Sequence, residues 1–277
     1  MDQIVSLLAQ ELDKDPKHIE NVITLLDEGN TIPFIARYRK ELHGAMDDTS
    51  LRTLEERLAY LRGLQERREA VKKSIADQGK LTGELAAAID AAKTLAEVED
   101  LYRPYKQKRR TRATVAREKG LAPLAELLLA QAPDCPAPEE AAASYVDAEK
   151  GVETVEEALA GASDIIAETI CDDAAIRGKL RELMAKNGVL RSVTAVEEDT
   201  VYRLYYDFTQ SIAKMQGHQP LAVNRGEREE KLKVSIELDR ELALRTLRRA
   251  VVIPGSRCME FLKAAAEDAY DRLICPS

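Results

Sequence analysis

The chain is poor in aromatic residues, with no Trp, three Phe and nine Tyr among 277 residues. No run approaches the roughly 18 consecutive apolar residues that a membrane-spanning helix needs. The N-terminus lacks the basic and apolar regions of a secretory signal. Leucine and alanine supply most of the apolar surface, which favours helices packed on helices over a β-sandwich. We therefore predict a mainly α protein that has no membrane span.

Cysteine and histidine are scarce and scattered along the chain. No pair of cysteines has CxxC spacing, and no set of these residues has the spacing of a zinc site. The sequence therefore predicts reduced thiols, a cytoplasmic protein, and neither a metal nor a cofactor. The residues concerned are Cys135, Cys171, Cys258, Cys275, His18, His43 and His218.

The motifs of common enzyme families are also missing. No two glycines lie two positions apart, which excludes GxG dinucleotide and kinase loops, and there is no P-loop, GxSxG or HExxH motif. The paired carboxylates Asp47-Asp48 and Asp172-Asp173 lie in acidic helical sequence, which is typical of solvated surface. His18 and His43 lack a partner motif and are interpreted as structural or exposed. We therefore predict that the chain is not an enzyme.

Charge is distributed unevenly along this mildly acidic chain, whose formal net charge is −8. Residues 103–119, called the basic segment below, contain eight basic residues and one acid. Residues 134–173 contain twelve acids and one base. The overall charge argues against binding a polyanion, but this local cationic density makes such binding plausible.

The first part of the basic segment, residues 103–112, is predicted to form a loop because Pro104 disfavours a helical residue before it. Cations in this basic loop can neutralise phosphates, and a tyrosine can stack on unpaired bases. The alternative is that the cations pair with the acidic helices of the same chain, and the sequence leaves the two equally open. The candidate residues are Arg103, Lys106, Lys108, Arg109, Arg110 and Arg112, with Tyr105.

Two short helices joined by a turn give residues 16–41 the length of a helix-turn-helix. Asp15 is a plausible N-cap, with Pro16 at the first helical position. The second helix carries Arg37, Arg39 and Lys40, which are candidates for nucleic-acid binding. Cations on a helix are more often a solvated face, so this reading is the weaker of the two.

Further along, leucines at helical spacing predict one long helix over about residues 50–78. Alternating apolar and polar residues predict a small β element near residues 230–238. The change in character after residue 187 predicts a helical domain over 1–187. Residues 188–277 are then the start of a central helical region with a short strand. Because the sequence stops where another helix could begin, we expect it to be a fragment of a longer protein.

Three long motifs resemble the Tex family of bacterial transcription accessory proteins. They are IPFIARYRKE at residues 32–41; DLYRPYK at 100–106 with KRRT at 108–111 and AREKGL at 116–121; and YDF at 206–208 with His218 and NRGE at 224–227. The resemblance implies a nucleic-acid-binding protein that acts in transcription and has a helical N-terminal half. It also implies an RNase-H-like domain, helix-hairpin-helix elements and an OB-fold RNA-binding domain downstream of this sequence. The family is related to a eukaryotic transcription-elongation histone chaperone.

Two classes of function follow from these observations. In the first, the chain binds RNA or single-stranded DNA through the basic loop, while the downstream domains provide most of the binding surface. In the second, it is a helical scaffold, or a module that docks a protein partner, and it positions those domains. The transcription machinery is a possible partner in either case, and a membrane is not.

Overall fold

The structure is a computed structural model that describes residues 2–276. It divides into two compact units, Met1–Glu99 and Asp100–Ser277. Most of the described residues are helical, with one small antiparallel sheet, which confirms the predicted mainly α fold. Within this described range, no helix has the combination of length and apolar character needed to cross a membrane.

The first unit consists of consecutive helices, the last of which runs across the boundary between the units. Their bounds are α1 Asp2–Leu12, α2 Pro16–Asp27, α3 Ile32–Tyr38, α4 Asp48–Asp77, α5 Gly83–Ala91 and α6 Leu95–Tyr102. Helices α1 to α4 share an apolar core in which Leu8, Ile19, Ile35, Leu51 and Leu54 are buried.

Helices α2 and α3 have the length and order predicted for residues 16–41. The Asp15 carboxylate accepts a hydrogen bond from the Lys17 backbone N–H at 2.8 Å, and Pro16 occupies the first turn of α2. Gly29, with φ of +83°, follows the end of α2 in the left-handed conformation that glycine adopts without strain. Helix α2 therefore begins and ends where capping chemistry predicts, while the helix-turn-helix and its binding to DNA stay predictions.

The long helix predicted over residues 50–78 is present as α4, 30 residues without a break. Asp47 caps its N-terminus by accepting a hydrogen bond from the Ser50 backbone N–H at 2.7 Å. Seven aliphatic side chains on one side of the helix are buried, from Leu51 to Ile75. Gly63 lies on the exposed side and does not interrupt the helix.

The second unit is built around one central helix, α10. Its helices are α7 Arg112–Glu118, α8 Ala122–Ala130, α9 Pro138–Ala143, α10 Val155–Asp172, α11 Ala174–Asn187, α12 His218–Arg228, α13 Arg240–Val251 and α14 Met259–Asp268. Ile166 of α10 is fully buried in a core that includes Leu124 of α8, Leu244 of α13 and Leu262 of α14. Because α13 and α14 share this core, packing is continuous across residue 187, where the sequence predicts a domain boundary.

A three-stranded antiparallel sheet lies between α11 and α13 in the chain. Its strands are β1 Val189–Thr194, β2 Asp207–Ser211 and β3 Leu232–Glu237, in the spatial order β2-β1-β3. Leu190 in the central strand lies opposite Gln210 of β2 and Ile236 of β3. Strand β3 falls within the predicted 230–238 element. Strand β2 is not evident in the sequence because it is five residues long and follows an aromatic run without clear alternation.

We expect two helical glycines to respond oppositely to substitution by alanine. A Cβ at Gly63 would have no heavy atom within 4 Å, so Gly63→Ala should stabilise the fold by about 0.5–1 kcal/mol. A Cβ at Gly161 in α10 would lie 2.4 Å from Cδ1 of the buried Leu121. Gly161→Ala should therefore destabilise the fold by about 1–3 kcal/mol.

Urea unfolding of both variants, followed by helical circular dichroism, measures these changes in free energy. Equal effects of the two substitutions would contradict the close approach of α10 to Leu121.

Candidate nucleic-acid interface

The basic segment begins with the loop that its sequence predicts and continues into a helix. Helix α6 ends at Tyr102, and Arg103–Tyr105 form a single 3-10 turn that contains Pro104. An irregular stretch follows, and Thr111 then caps α7 by accepting a hydrogen bond from the Thr114 backbone N–H at 3.0 Å. The cations are therefore presented from a turn, a loop and the first turn of a helix.

The beginning of this segment is fixed by a buried carboxylate in the last turns of α6. The side chain of Asp100 is 7% exposed and accepts hydrogen bonds from two arginines of α11. Arg177 Nε donates to Asp100 Oδ1 at 2.8 Å, and Arg181 donates to Oδ2. Breaking a buried ion pair is costly because the remaining charge has lost its hydration, so these contacts hold the end of α6 in place.

Asp172, in the last turn of α10, binds two cations of the basic loop. Arg103 Nε donates to Asp172 Oδ1 at 3.2 Å, and Lys108 Nζ donates to Oδ2. The Asp172 side chain is 12% exposed, whereas those of Arg103 and Lys108 are about a third exposed. The interpretation of Asp172 as solvated surface is therefore wrong. Its neighbour Asp173 instead caps α11 by accepting from the Ile176 backbone N–H at 2.8 Å.

Glu168, one helical turn before Asp172, holds the other end of the loop. Its carboxylate accepts from Arg117 Nη1 at 2.5 Å and from the Thr111 hydroxyl at 3.1 Å, and Lys108 Nζ lies 3.5 Å away. Burial raises the pKa of Glu168, but the Arg117 hydrogen bond, the charge of Lys108 and the Thr111 hydroxyl outweigh it. The net result is a pKa below the ordinary value of 4.5.

The remaining cations of the loop face solvent. Lys106, Arg109 and Arg112 are exposed and have no carboxylate partner among residues 2–276. Arg110 pairs with Glu118 at 2.7 Å, but both side chains are more than half exposed, so the pair contributes at most about 1 kcal/mol. Tyr105 is half-buried in the 3-10 turn.

The basic loop therefore has an inner and an outer set of cations. Arg103 and Lys108 are partly neutralised by Asp172 of α10, as the alternative of internal pairing predicts. Lys106, Arg109 and Arg112, with the weakly paired Arg110, form the outer set. The sequence alone does not separate the two sets, because the pairing depends on residues more than fifty positions away.

The second group of candidates lies on and just after α3, in the first unit. Arg37 and Lys40 are exposed, and neither has a carboxylate partner within the described part of the chain. The Arg39 guanidinium lies 5.4 Å from the centre of the Phe34 ring and donates to the Tyr38 carbonyl at 3.3 Å. Arg37 and Arg39 are thus placed by ring contacts and not by ion pairs.

Sequence reasoning did not select the two aromatic residues of α3. Phe34 and Tyr38 are four positions apart, with ring centres 5.3 Å from each other, and Tyr38 is 57% exposed. Ile32 and Ile35 lie on a different side of the helix and are buried. The spacing of the two rings relative to these isoleucines is the signal that could have identified them.

Among the described residues, no group of three or more acidic, histidine or cysteine side chains could hold a metal ion. Two buried thiols nevertheless lie close together, with Cys135 Sγ and Cys258 Sγ 3.4 Å apart. Burial and the neighbouring Cys135 thiol raise the pKa of Cys258 to about 11, which keeps it protonated at neutral pH.

Two family models match separate parts of the chain. Residues 2–76 match the Tex-like protein N-terminal domain, and residues 134–266 match the model described as Tex central region-like. The chain belongs to the Tex family. The basic segment lies between the two matched ranges.

Three relatives match most of the chain, and the two bacterial ones carry the name Tex. Protein tex of Bordetella pertussis is 43% identical over 264 residues, which cover 94% of this chain and 33% of the relative. The transcriptional accessory protein Tex of Neisseria gonorrhoeae is 42% identical over 237 residues, 84% of this chain and 31% of the relative. The human S1 RNA-binding domain-containing protein 1 is 30% identical over 291 residues, 99% of this chain and 29% of the relative. The chain thus spans about a third of the length of these Tex relatives.

We expect Glu168→Gln to lower stability in a pH-dependent way. Because the pKa of Glu168 in the folded chain lies below 4.5, its ionised form stabilises the fold above that pH. The variant should be about 1–3 kcal/mol less stable than the parent at neutral pH. The difference should shrink as the pH falls below about 4.5 towards the lowered pKa.

Urea unfolding between neutral pH and pH 3.5 measures this difference. Glu182→Gln, an exposed position on α11, is the matched control and should show no such trend. A constant difference across the pH range would mean that the ion pairs of Glu168 do not anchor the loop.

Proposed function

We propose that this chain is a non-catalytic element of a transcription accessory protein that binds nucleic acid through the outer cations of the basic loop. The observation that carries the proposal is the division of the loop. Lys108 and Arg117 are held by Glu168, while Lys106, Arg109 and Arg112 are exposed without a carboxylate partner in the described residues. Like charges held close together repel one another, and an incoming anion relieves this repulsion.

Phosphates are the anions best suited to such a surface. Lysine and arginine bind phosphate oxygens without reading a base, so the contact is expected to be independent of sequence. The loop is short and irregular, without the long helix that enters a DNA major groove, which favours a single strand as the ligand. RNA or single-stranded DNA would satisfy this chemistry, and the name of the human relative favours RNA.

The function of the longer protein sets the context. The name of the Neisseria gonorrhoeae relative supports a role in transcription, which for a bacterial protein takes place in the cytoplasm. In this view the loop adds a general electrostatic contact to the binding provided by domains downstream of this chain. The transcription machinery is then a partner of the assembled protein.

A scaffold role is the second candidate, and it rests on a specific observation. Glu168 and Asp172 fasten the basic segment to α10 through Arg103, Lys108 and Arg117. Just before the segment, Asp100 fastens the end of α6 to two arginines of α11. Such a rigid body could position other domains without touching nucleic acid. The two candidates differ in what the outer cations do.

The triple variant Lys106→Ala, Arg109→Ala, Arg112→Ala tests the proposal. Each lost phosphate contact should reduce the slope of log K against log salt by about 0.7 for a single strand, so the three together should reduce it by about 2 units. Binding of the 277-residue chain to a fluorescent single-stranded RNA, measured across a series of salt concentrations, gives the slope. Thermal stability should stay close to that of the parent, because these side chains make no ion pairs within residues 2–276.

The matched control removes the same charge from the same unit: Lys179→Ala, Lys186→Ala, Lys214→Ala, all exposed and outside the loop. It should leave most of the slope intact. If both triple variants lower the slope equally, binding reflects net charge and not the basic loop. If neither changes it, the scaffold role is favoured.

A further inference from the structure

Helix α3 presents a compact group of aromatic and cationic side chains. The Phe34 and Tyr38 ring centres are 5.3 Å apart with their planes tilted by 46°. Arg39 lies 5.4 Å from the Phe34 centre, and Arg37 lies 5.9 Å from the Tyr38 centre. We call these four residues the α3 platform. Each ring thus has its own arginine within the range of a cation–π contact.

The platform is accessible although its helix is firmly packed. Ile32 and Ile35 hold α3 in the core of the first unit and are at most 3% exposed. Tyr38 is 57% exposed, and Arg37 and the adjoining Lys40 are exposed as well. The exposed part of the Tyr38 ring contributes nothing to the core, and keeping this apolar surface in water is unfavourable.

The chemistry of the platform fits an unpaired nucleobase. Bases stack on aromatic rings and on guanidinium planes whatever their sequence, and neighbouring cations hold the phosphates. A duplex is a poorer ligand, since its bases are already stacked. Helix α3 also has only seven residues and carries no Asn or Gln to read base edges. A protein partner fits less well because the aliphatic residues of α3 are buried and its exposed cations call for an anion.

We propose that the α3 platform is a stacking site for unpaired bases of single-stranded nucleic acid, with Tyr38 as the stacking ring. The Arg39 guanidinium lies over the Phe34 ring and donates a hydrogen bond to the Tyr38 carbonyl. These contacts hold Phe34, the neighbour of the Tyr38 ring, in place. Arg37 closes over the bound base, and Lys40 contacts a phosphate. The α3 platform binds an unstacked base, whereas the outer cations of the basic loop bind only phosphate.

This inference shares its ligand class with the proposed function but rests on a different surface, in the first unit. The two can therefore fail independently. The two surfaces can be distinguished by removing the base from the ligand. Loss of the base abolishes stacking on the α3 platform but leaves the salt-dependent phosphate contacts of the basic loop.

Comparison of two oligonucleotides isolates the contribution of the base. One is a single strand of about twelve thymidines, within the usual site size, and the other is an abasic strand with the same number of phosphates. The parent chain should bind the thymidine strand more tightly. Tyr38→Ala should weaken that binding by about five- to a hundredfold while leaving binding to the abasic strand unchanged. Tyr38→Phe, which keeps the ring, should bind both strands like the parent.

The salt dependence provides a second, independent readout. Tyr38→Ala should shift the plot of log K against log salt without changing its slope, because stacking releases no counterions. Lys40→Ala should instead reduce the slope by about 0.7. The outer-cation triple variant should keep the preference for thymidine over abasic strands, so its result reports on the basic loop alone. An RNA strand of the same length shows whether the sugar matters.

The absence of tryptophan makes a direct optical test possible. Tyr38→Trp introduces a single tryptophan into a chain that has none. Its fluorescence should be quenched by the thymidine strand but not by the abasic strand. Tyr60→Trp, a half-buried position in α4 with Arg57 4.9 Å from its ring centre, is the control and should not respond.

Several results would overturn the proposal. Equal binding of the parent to both strands would mean that no base is recognised. Unchanged thymidine binding by Tyr38→Ala would place base recognition elsewhere, even if the outer cations still set the salt slope. Quenching at Tyr60 as strong as at Tyr38 would show that the fluorescence change is not specific to the platform.

Discussion

Two carboxylates on one turn of α10 determine how the basic segment is presented. Glu168 and Asp172 are almost buried, and together they bind Arg103, Lys108 and Arg117. Moving a carboxylate out of water is costly unless cations and hydrogen-bond donors replace its hydration. The loop supplies those donors, so its backbone is tied to the central helix at both ends. Of the cations that are left over, Arg110 makes only an exposed pair with Glu118, and Lys106, Arg109 and Arg112 face solvent without a carboxylate partner in the described part of the chain.

This arrangement links the stability of the second unit to its proposed binding surface. An isolated loop with so many cations would spread out to reduce repulsion, and ordering it on a ligand would cost conformational entropy. Internal pairing of three cations fixes the path of the chain before any ligand arrives. The outer cations are thus held close together. The three paired cations, in turn, have part of their charge neutralised by carboxylates and are less available to phosphate. The α3 platform is built differently, because ring contacts and not carboxylates place its cations.

Local signals in the sequence predicted much of the fold. The unbroken stripe of leucines predicted α4, and capping at Asp15 and the restriction before Pro104 predicted where α2 begins and α6 ends. These features depend on residues within a few positions of one another. Strand β2 was missed because five residues become a strand only by pairing with β1.

Features that depend on contacts between residues far apart in the chain could not be predicted from the sequence. Asp172 looked like solvated surface because its partner Lys108 lies 64 positions away. Cys135 and Cys258 looked isolated although their sulfur atoms are 3.4 Å apart. The candidate cations were identifiable from local density, but their division into inner and outer sets required the packing of α7 against α10. Tyr38 was passed over because exposure, and not residue type, makes it notable.

The central claim is that the cations of the basic segment form an anchored and a free set. Nitrogen-15 relaxation of the arginine Nε–H groups tests it directly, with each signal assigned by single substitution. The Nε–H of Arg103, which donates to Asp172, should be as ordered as rigid backbone, with an order parameter of about 0.85. Those of Arg109 and Arg112 should fall below about 0.6. Similar mobility at all three arginines would contradict the account, because the carboxylates of α10 would then not hold the loop.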